Sequence, residues 1–392
     1  MNTKILLLIS FLLTSSNILP QTVQDYLKVL KNESEEPIGF VANKLMEYDL
    51  VIFDDALHSA VEPFDFYCEY LTINSESVDY VFLEVFAIDA QSHIDSFFQS
   101  KIKDTSLLAK AFQKDFSYGW PYESYLKLFL TVWDINQKLL ENDKIKIIGV
   151  DQPIYWEGLH TREDYNIFQQ SLVSRDNFMY KIILKHMDNF EKEKKGIFLT
   201  NTRHAYKCIK NKNGQTYWNT GTFFSQWHPE KSYAIRFHNM MLKIESEKKN
   251  VKNTSTSGME RLEYKWVRMD NGKWDKAFAE NDNNPLAITL KDNIWGQHPY
   301  FGNHMADALS GQTMYDAYDA LIFLKPIEQT KFSAHTNFFY TDAFKKELEH
   351  RVKVIQGHNL NKFLKENNVN SVNEYVETLT KYIPEKPNSL IK

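Results

Sequence analysis

Cysteine is scarce in this chain: Cys68 and Cys208 are the only two among 392 residues. A disulfide framework is thereby excluded, and two separate buried thiols are the expected state. The pair also lacks the CxxC spacing of a zinc finger. There is no block of basic residues, and the net charge is −5, so nucleic acid is not an expected partner. Neither a Gly-x-Ser-x-Gly elbow nor a Walker A run occurs, which removes the two commonest short signatures of a nucleophilic serine and of a phosphate-cradling loop. Internal repeats and low-complexity linkers are absent too. No apolar run is long enough to cross a bilayer, which takes about 20 residues.

What is present is core material. The composition is 43% hydrophobic and 14% aromatic, ample for a large globular core. The N-terminal segment stands apart: Lys4 precedes the apolar run Ile5–Leu13, in the size range of a signal-peptide h-region. Residues 1–20 are therefore read as a cleaved secretory signal, with an exported product, periplasmic or extracellular. No cysteine lies near the cut, which argues against a lipoprotein anchor. Residues 21–392 are read as a single domain.

Short apolar runs recur along that domain at 50–53, 80–83, 144–150, 196–200, 232–244, 285–290 and 319–324. Each has the length of a buried strand. Between them lie segments of helical periodicity at 21–32, 40–48, 63–73, 86–141 and 166–190, with more in the tail from 341 to 382. Alternation of this kind predicts an α/β fold around a mainly parallel sheet flanked by helices. The stretch 86–141 is long for a simple crossover and is expected to form a helical, cap-like insertion. Gly149 near the end of the third run is expected to permit a close backbone approach.

The chemistry-bearing residues gather where apolar runs stop. The first run, Leu50-Val51-Ile52-Phe53, ends in Asp54-Asp55, with His58 and Glu62 following; a helix from Ala56 would put those two on one face. The second run ends in Glu84, the third in Asp151, and the fourth leads into Asn201-Thr202-Arg203-His204. In a parallel sheet these ends share one edge, where open α/β sheets place their ligands. A lone acid at such a place is as readily a helix cap or an ion-pair partner. Four strand ends carrying acid or imidazole make the stronger argument. His298 and His304 flank an aromatic stretch read as a surface loop. Trp218, Trp227, Trp266, Trp274 and Trp295 are assigned to core or sheet packing.

The ordered set of motifs resembles the erythromycin-esterase-like family, within a wider superfamily that includes the Tiki, TraB and haem-binding ChaN proteins. Asp54-Asp55-Ala56-Leu57-His58 stands where that family has Gly-Glu-x-x-His, with Glu62 at the following acid. Glu84 matches the acid ending the second strand, and Trp120 and Asn136 a Trp…Asn pair. Ile148-Gly149-Val150-Asp151 is similar to the Gly-x-Asp strand end, Ser174-Arg175-Asp176 with Met179 to an Arg-Asp-x-x-Met helix, and His204 to the imidazole after the next strand. Two departures stand out: Asp54-Asp55 replaces Gly-Glu, and Asn201-Thr202-Arg203-His204 lacks one histidine of the family's His-Asn-x-His. Macrolide esterase activity is therefore not carried over.

Three functional readings follow. In the first, an exported hydrolase acts on a small-molecule substrate. His58 is the general base on water, suited by an imidazole pKa near neutrality, and Asp55 and Glu84 orient it. His204 serves as second acid/base or stabilises negative charge. Glu62, Asp151, Arg175 and Arg203 contact substrate, and no cofactor is needed. In the second, Asp55, His58, Glu84 and His204 hold a divalent metal that activates the water. In the third, the chain is a haem- or small-ligand-binding module in which His298 or His304 matters more than His58.

Overall fold

A computed structural model describes residues 21–247, 262–300 and 308–391. The expected signal segment and His304 lie outside the described residues.

Seven strands form one sheet: β1 (Leu50–Asp54), β2 (Tyr80–Ala87), β3 (Lys146–Asp151), β4 (Gly196–Thr200), β5 (Ser232–Phe237), β8 (Leu286–Thr289) and β9 (Ala320–Phe323). Their order is β3-β2-β4-β1-β5-β9-β8. All neighbours are parallel except β8, which runs antiparallel to β9. The run expected as one strand over 232–244 is two. After Phe237 the chain turns at Asn239, whose side chain accepts from Met240 N. β6 (Met241–Glu247) then leaves the sheet to pair antiparallel with β7 (Leu262–Val267).

The strands are apolar at nearly every position because both sheet faces are covered. Alternate residues feed two separate cores. Val51, Phe53, Val81, Leu83, Ile197 and Leu199 point to one side; Leu50, Ile52, Phe82, Val150 and Phe198 point to the other. The helix Val61–Ile73 after β1 and the helices Gln91–Gln99, Ala109–Gln113 and Glu123–Asn136 after β2 pack on the first side. The helix Arg175–His186 after β3 and the helix Thr220–Trp227 after β4 pack on the second. The stretch 86–141 is thus the connection from β2 to its neighbour β3, sharing the main core through Ile94, Phe97, Phe112 and Phe129.

β3 and β4 send their following chains to one face of the sheet while β1 and β2 send theirs to the other. Such a switch point leaves a crevice at the strands' C-terminal ends, where open α/β sheets bind ligands.

Candidate active site

At the end of β1 the two adjacent carboxylates part company, as successive strand residues must. Asp54 is fully buried and ion-paired to Arg236, its cross-strand register partner on β5. It also accepts from Tyr318 Oη at 2.6 Å, Thr202 Oγ1 at 3.2 Å and Ala56 N at 2.8 Å. That last bond tightens a turn in which Ala56 adopts φ 60°, a left-handed conformation costly for a residue with a Cβ. The turn replaces the expected helical start: the helix begins only at Val61, so His58 and Glu62 do not share a face. Glu62 is drawn away to the backbone of Lys331, accepting from its N–H at 3.2 Å.

The turn delivers His58 back over the strand end. Its Nδ1 lies 2.8 Å from Asp55 Oδ2 and its Nε2 3.5 Å from Glu84 Oε2. Asp55 is buried and held from its other oxygen by Asn201 Nδ2 at 3.3 Å. The short contact assigns the Nδ1 proton to the Asp55 side, leaving Nε2 as the nitrogen that can act. Trp120 stands edge-on to the imidazole, with ring centroids 5.2 Å apart. Burial alone would depress the His58 imidazolium, but the charges of Asp55 and Glu84 outweigh it and push the ring up to about 10. Burial raises the Asp55 carboxyl above its ordinary value, only partly offset by His58. His58 therefore keeps its proton into alkaline pH.

Glu84 sits where β2 bulges: its register with β3 shifts between Leu83 and Ala87. Gly149 of β3 makes room for this, since a Cβ there would lie 2.6 Å from the Phe86 carbonyl oxygen. Bulges of this kind re-aim a side chain at the end of a strand. The Glu84 carboxylate accepts from Thr200 Oγ1, from Asn201 N at 3.0 Å and from Arg175 Nη2 at 3.1 Å. Burial opposes its charge, but His204, His58 and Arg175 together hold it well below the usual carboxylate range.

Arg175 is the hub. It stands at the first turn of its helix, which is broken from the preceding one (Arg162–Ser171) by a 3₁₀ turn, not mid-helix as periodicity predicted. Its Nε and Nη2 grip Asp151 at 2.6 and 2.8 Å, and its Nη1 reaches His204 Nε2 at 2.9 Å. Arg203 Nε approaches the same nitrogen at 3.2 Å. Two guanidinium groups thus face Nε2, and Nδ1 lies 2.8 Å from Asp176 Oδ1. Burial disfavours a second proton, while Asp176 and Glu84 more than compensate and raise the ring above its ordinary value. Glu84 Oε1 lies 3.2 Å from the same Nε2, so that nitrogen faces three charged groups, Arg175, Arg203 and Glu84.

Asp55, His58, Glu84, Asp151, Arg175, Arg203 and His204 therefore lie in one bonded network at the C-terminal edge of β1, β2, β3 and β4. Glu62 does not join it. Asp151 and Arg175 are too deeply buried and too fully engaged with each other to meet a substrate directly. His58, with a side chain 20% exposed, is open where Glu84 and His204, each 4%, are closed.

Sequence reading named Asp176 and Asn201 as motif residues but gave neither a role; Asp176 anchors His204 and is itself fixed by Thr220 N and Oγ1 at 2.8 and 2.9 Å. It passed over Arg236. The one available signal was the charge of Arg236 inside the otherwise apolar Tyr233–Phe237. His298, expected on a surface loop, is buried against Trp274, with Nδ1 on Pro299 O at 2.9 Å. Trp274 and Trp295 are buried as expected, whereas Trp218 and Trp227 are about half exposed. Cys68 is buried and Cys208 partly so, both as free thiols.

The donor set does not fit a divalent metal. The Arg175 guanidinium already occupies the centre between Glu84, Asp151 and His204. Among the described residues no group of three His, Cys, Asp or Glu side chains is arranged to hold an ion. Haem fits no better at His298, whose ring is packed in and bonded.

No family model matches the chain, and no curated protein sequence does. Its backbone is similar to those of several solved structures. A protein from Bacillus cereus superposes with a TM-score of 0.50 at 12% identity, over 78% of this chain and 98% of that one. A succinoglycan biosynthesis protein gives 0.52 at 8%, over 77% and 96%. Erythromycin esterase EreC, as a His-to-Asn mutant in its open conformation, gives 0.51 at 9%, over 79% and 99%. The chain has an erythromycin-esterase-like α/β fold. At these identities the likeness extends to the fold alone.

Proposed function

We propose that this chain is an exported, metal-independent hydrolase in which His58 takes a proton from water. The observation that carries the reading is the Asp55–His58 pair: a buried carboxylate 2.8 Å from Nδ1, leaving Nε2 of the network's accessible imidazole as the reacting nitrogen. This is the orienting geometry that carboxylate–imidazole pairs use in hydrolytic sites. Attack of the water on an ester or lactone carbonyl places negative charge on the carbonyl oxygen. Arg203, only partly buried beside His204, is the cation placed to meet that charge. The similarity to an erythromycin esterase supports the ester class; a narrower substrate is not assigned.

The elevated affinity of His58 for its proton favours one rival role, that of an imidazolium donating to the leaving group. The two roles give opposite pH limbs. Activity is measured on a panel of esters and lactones with His58→Gln, which keeps a donor for Asp55. Turnover is expected to fall by about 10²–10⁴-fold, with a lower melting temperature at neutral pH because the imidazolium's pairs with Asp55 and Glu84 are lost. A variant that retains full turnover removes His58 from the chemistry.

A further inference from the structure

β3 is an edge strand of the seven-stranded sheet. Lys146 N donates to Asp79 O, so the N–H and C=O groups of Lys146 and Ile148 face β2 while those of Ile145, Ile147 and Gly149 face away. An outward row of this kind is a template for an added strand. Here side-chain amides occupy it. Gln91 Nε2 donates to Ile147 O at 2.9 Å, and Gln91 Oε1 accepts from Gly149 N at 3.0 Å. Bonding the C=O of one residue and the N–H two residues on is what a parallel neighbour does opposite Ile148. Asn136 Nδ2 donates to Ile145 O, and its Oδ1 accepts from Ile145 N, both at 2.9 Å. Exchanging both bonds with a single residue is the antiparallel pattern. The other edge needs no such device, because Glu35 and Ala287 exchange main-chain bonds of 2.9 and 2.8 Å along β8.

We infer that β3 is an occluded strand-addition surface, and that Gln91 and Asn136 hold it closed against an extended strand of a second copy of this chain. A groove of about 640 Å³ runs beside the strand, lined by Phe98, Lys101, Ile145 and Ile147 together with the two amides, and it gives such a strand room. Gln91 is the removable guard. It is only partly buried and is steadied by a single further bond, to Asp95 Oδ1 at 2.9 Å. Asn136 is buried and built into the helix end.

Two substitutions in the full chain separate guarding from simple stabilisation. Gln91→Ala removes both amide bonds and bares Ile147 O and Gly149 N, while Asn136 still covers Ile145. Gln91→Lys removes the same bonds but sets a charge beside the edge, which itself deters pairing. Sedimentation velocity over a concentration series, well below either melting temperature, is expected to show Gln91→Ala moving toward multiples of the wild-type mass while Gln91→Lys keeps it. Both variants should lose a similar amount of thermal stability. Gln91→Ala at wild-type mass across the series overturns the inference. So does association of both variants, which would trace to general loosening.

Discussion

Asp55→Asn puts the base assignment of His58 to a quantitative test through pH. In the native chain Asp55 and Glu84 push the imidazolium up to about 10. One pKa unit is tenfold in the equilibrium, so at pH 7 roughly one molecule in 10³ carries a free Nε2 lone pair. If that lone pair takes the proton from water, kcat/KM rises about tenfold per pH unit between 7 and 9 and levels near 10. A neighbouring opposite charge typically moves a pKa by about one to three units. Asp55→Asn should therefore carry the limb down by that much, toward neutral pH. The plateau should fall as well, by up to about 10⁴-fold, because an amide holds the ring less surely in the required tautomer. Stability must follow the same proton. The folded value lies above the ordinary 6.5, so the contribution is complete below pH 6.5 and is lost as pH climbs through about 10. Urea midpoints of the native chain should fall over that window, and those of Asp55→Asn should fall less. A kcat/KM that is flat from pH 7 to 9, or a limb unmoved by Asp55→Asn, refutes the reasoning and hands His58 the acid role.

Three further outcomes are expected. Asp54→Asn breaks one half of the buried pair with Arg236 and should cost about 3–5 kcal/mol of unfolding free energy in denaturant titration. Prolonged dialysis against a chelator should leave ester turnover unchanged; activity lost on chelation and restored by a single added divalent ion would reinstate the metal reading. The N-terminus of protein recovered outside the cytoplasm should lie close to Gln21, whose side chain and carbonyl meet Tyr26 and Lys273; mass spectrometry finding Met1 intact there contradicts export by a cleaved signal.

How much of this was legible beforehand depends on which force set each feature. The sheet strands announce themselves because a strand covered on both faces is apolar at every position, and a run of that length ended by an acid is a local signal. β6 was not separable from β5 by such a signal, since Met240-Met241-Leu242 and Ile244 resume an apolar run after only two polar residues, His238 and Asn239. The helix expected from Ala56 failed for a different reason. Asp54 captures Ala56 N from a non-helical turn, and side chains that bond nearby backbone compete with helix at this kind of junction. Nothing in the sequence from Ala56 to Ala60 records that competition.

The two adjacent acids carry the last step. Side by side in sequence, Asp54 and Asp55 are equivalent candidates, and composition cannot rank them. Strand geometry sends them to opposite sides, so their roles are decided by what other strands bring to each side. β5 brings Arg236 into register with Asp54, and β9 leads out of Tyr318; together they consume that carboxylate in holding β1, β5 and β9 at one height. β4 brings Asn201 to Asp55 and leaves its second oxygen to an imidazole that reaches solvent. The chemistry at Asp55 thus depends on the neutralisation of Asp54. An unpaired Asp54 charge would add to the field already holding the proton on His58, and would make the imidazole a still scarcer base.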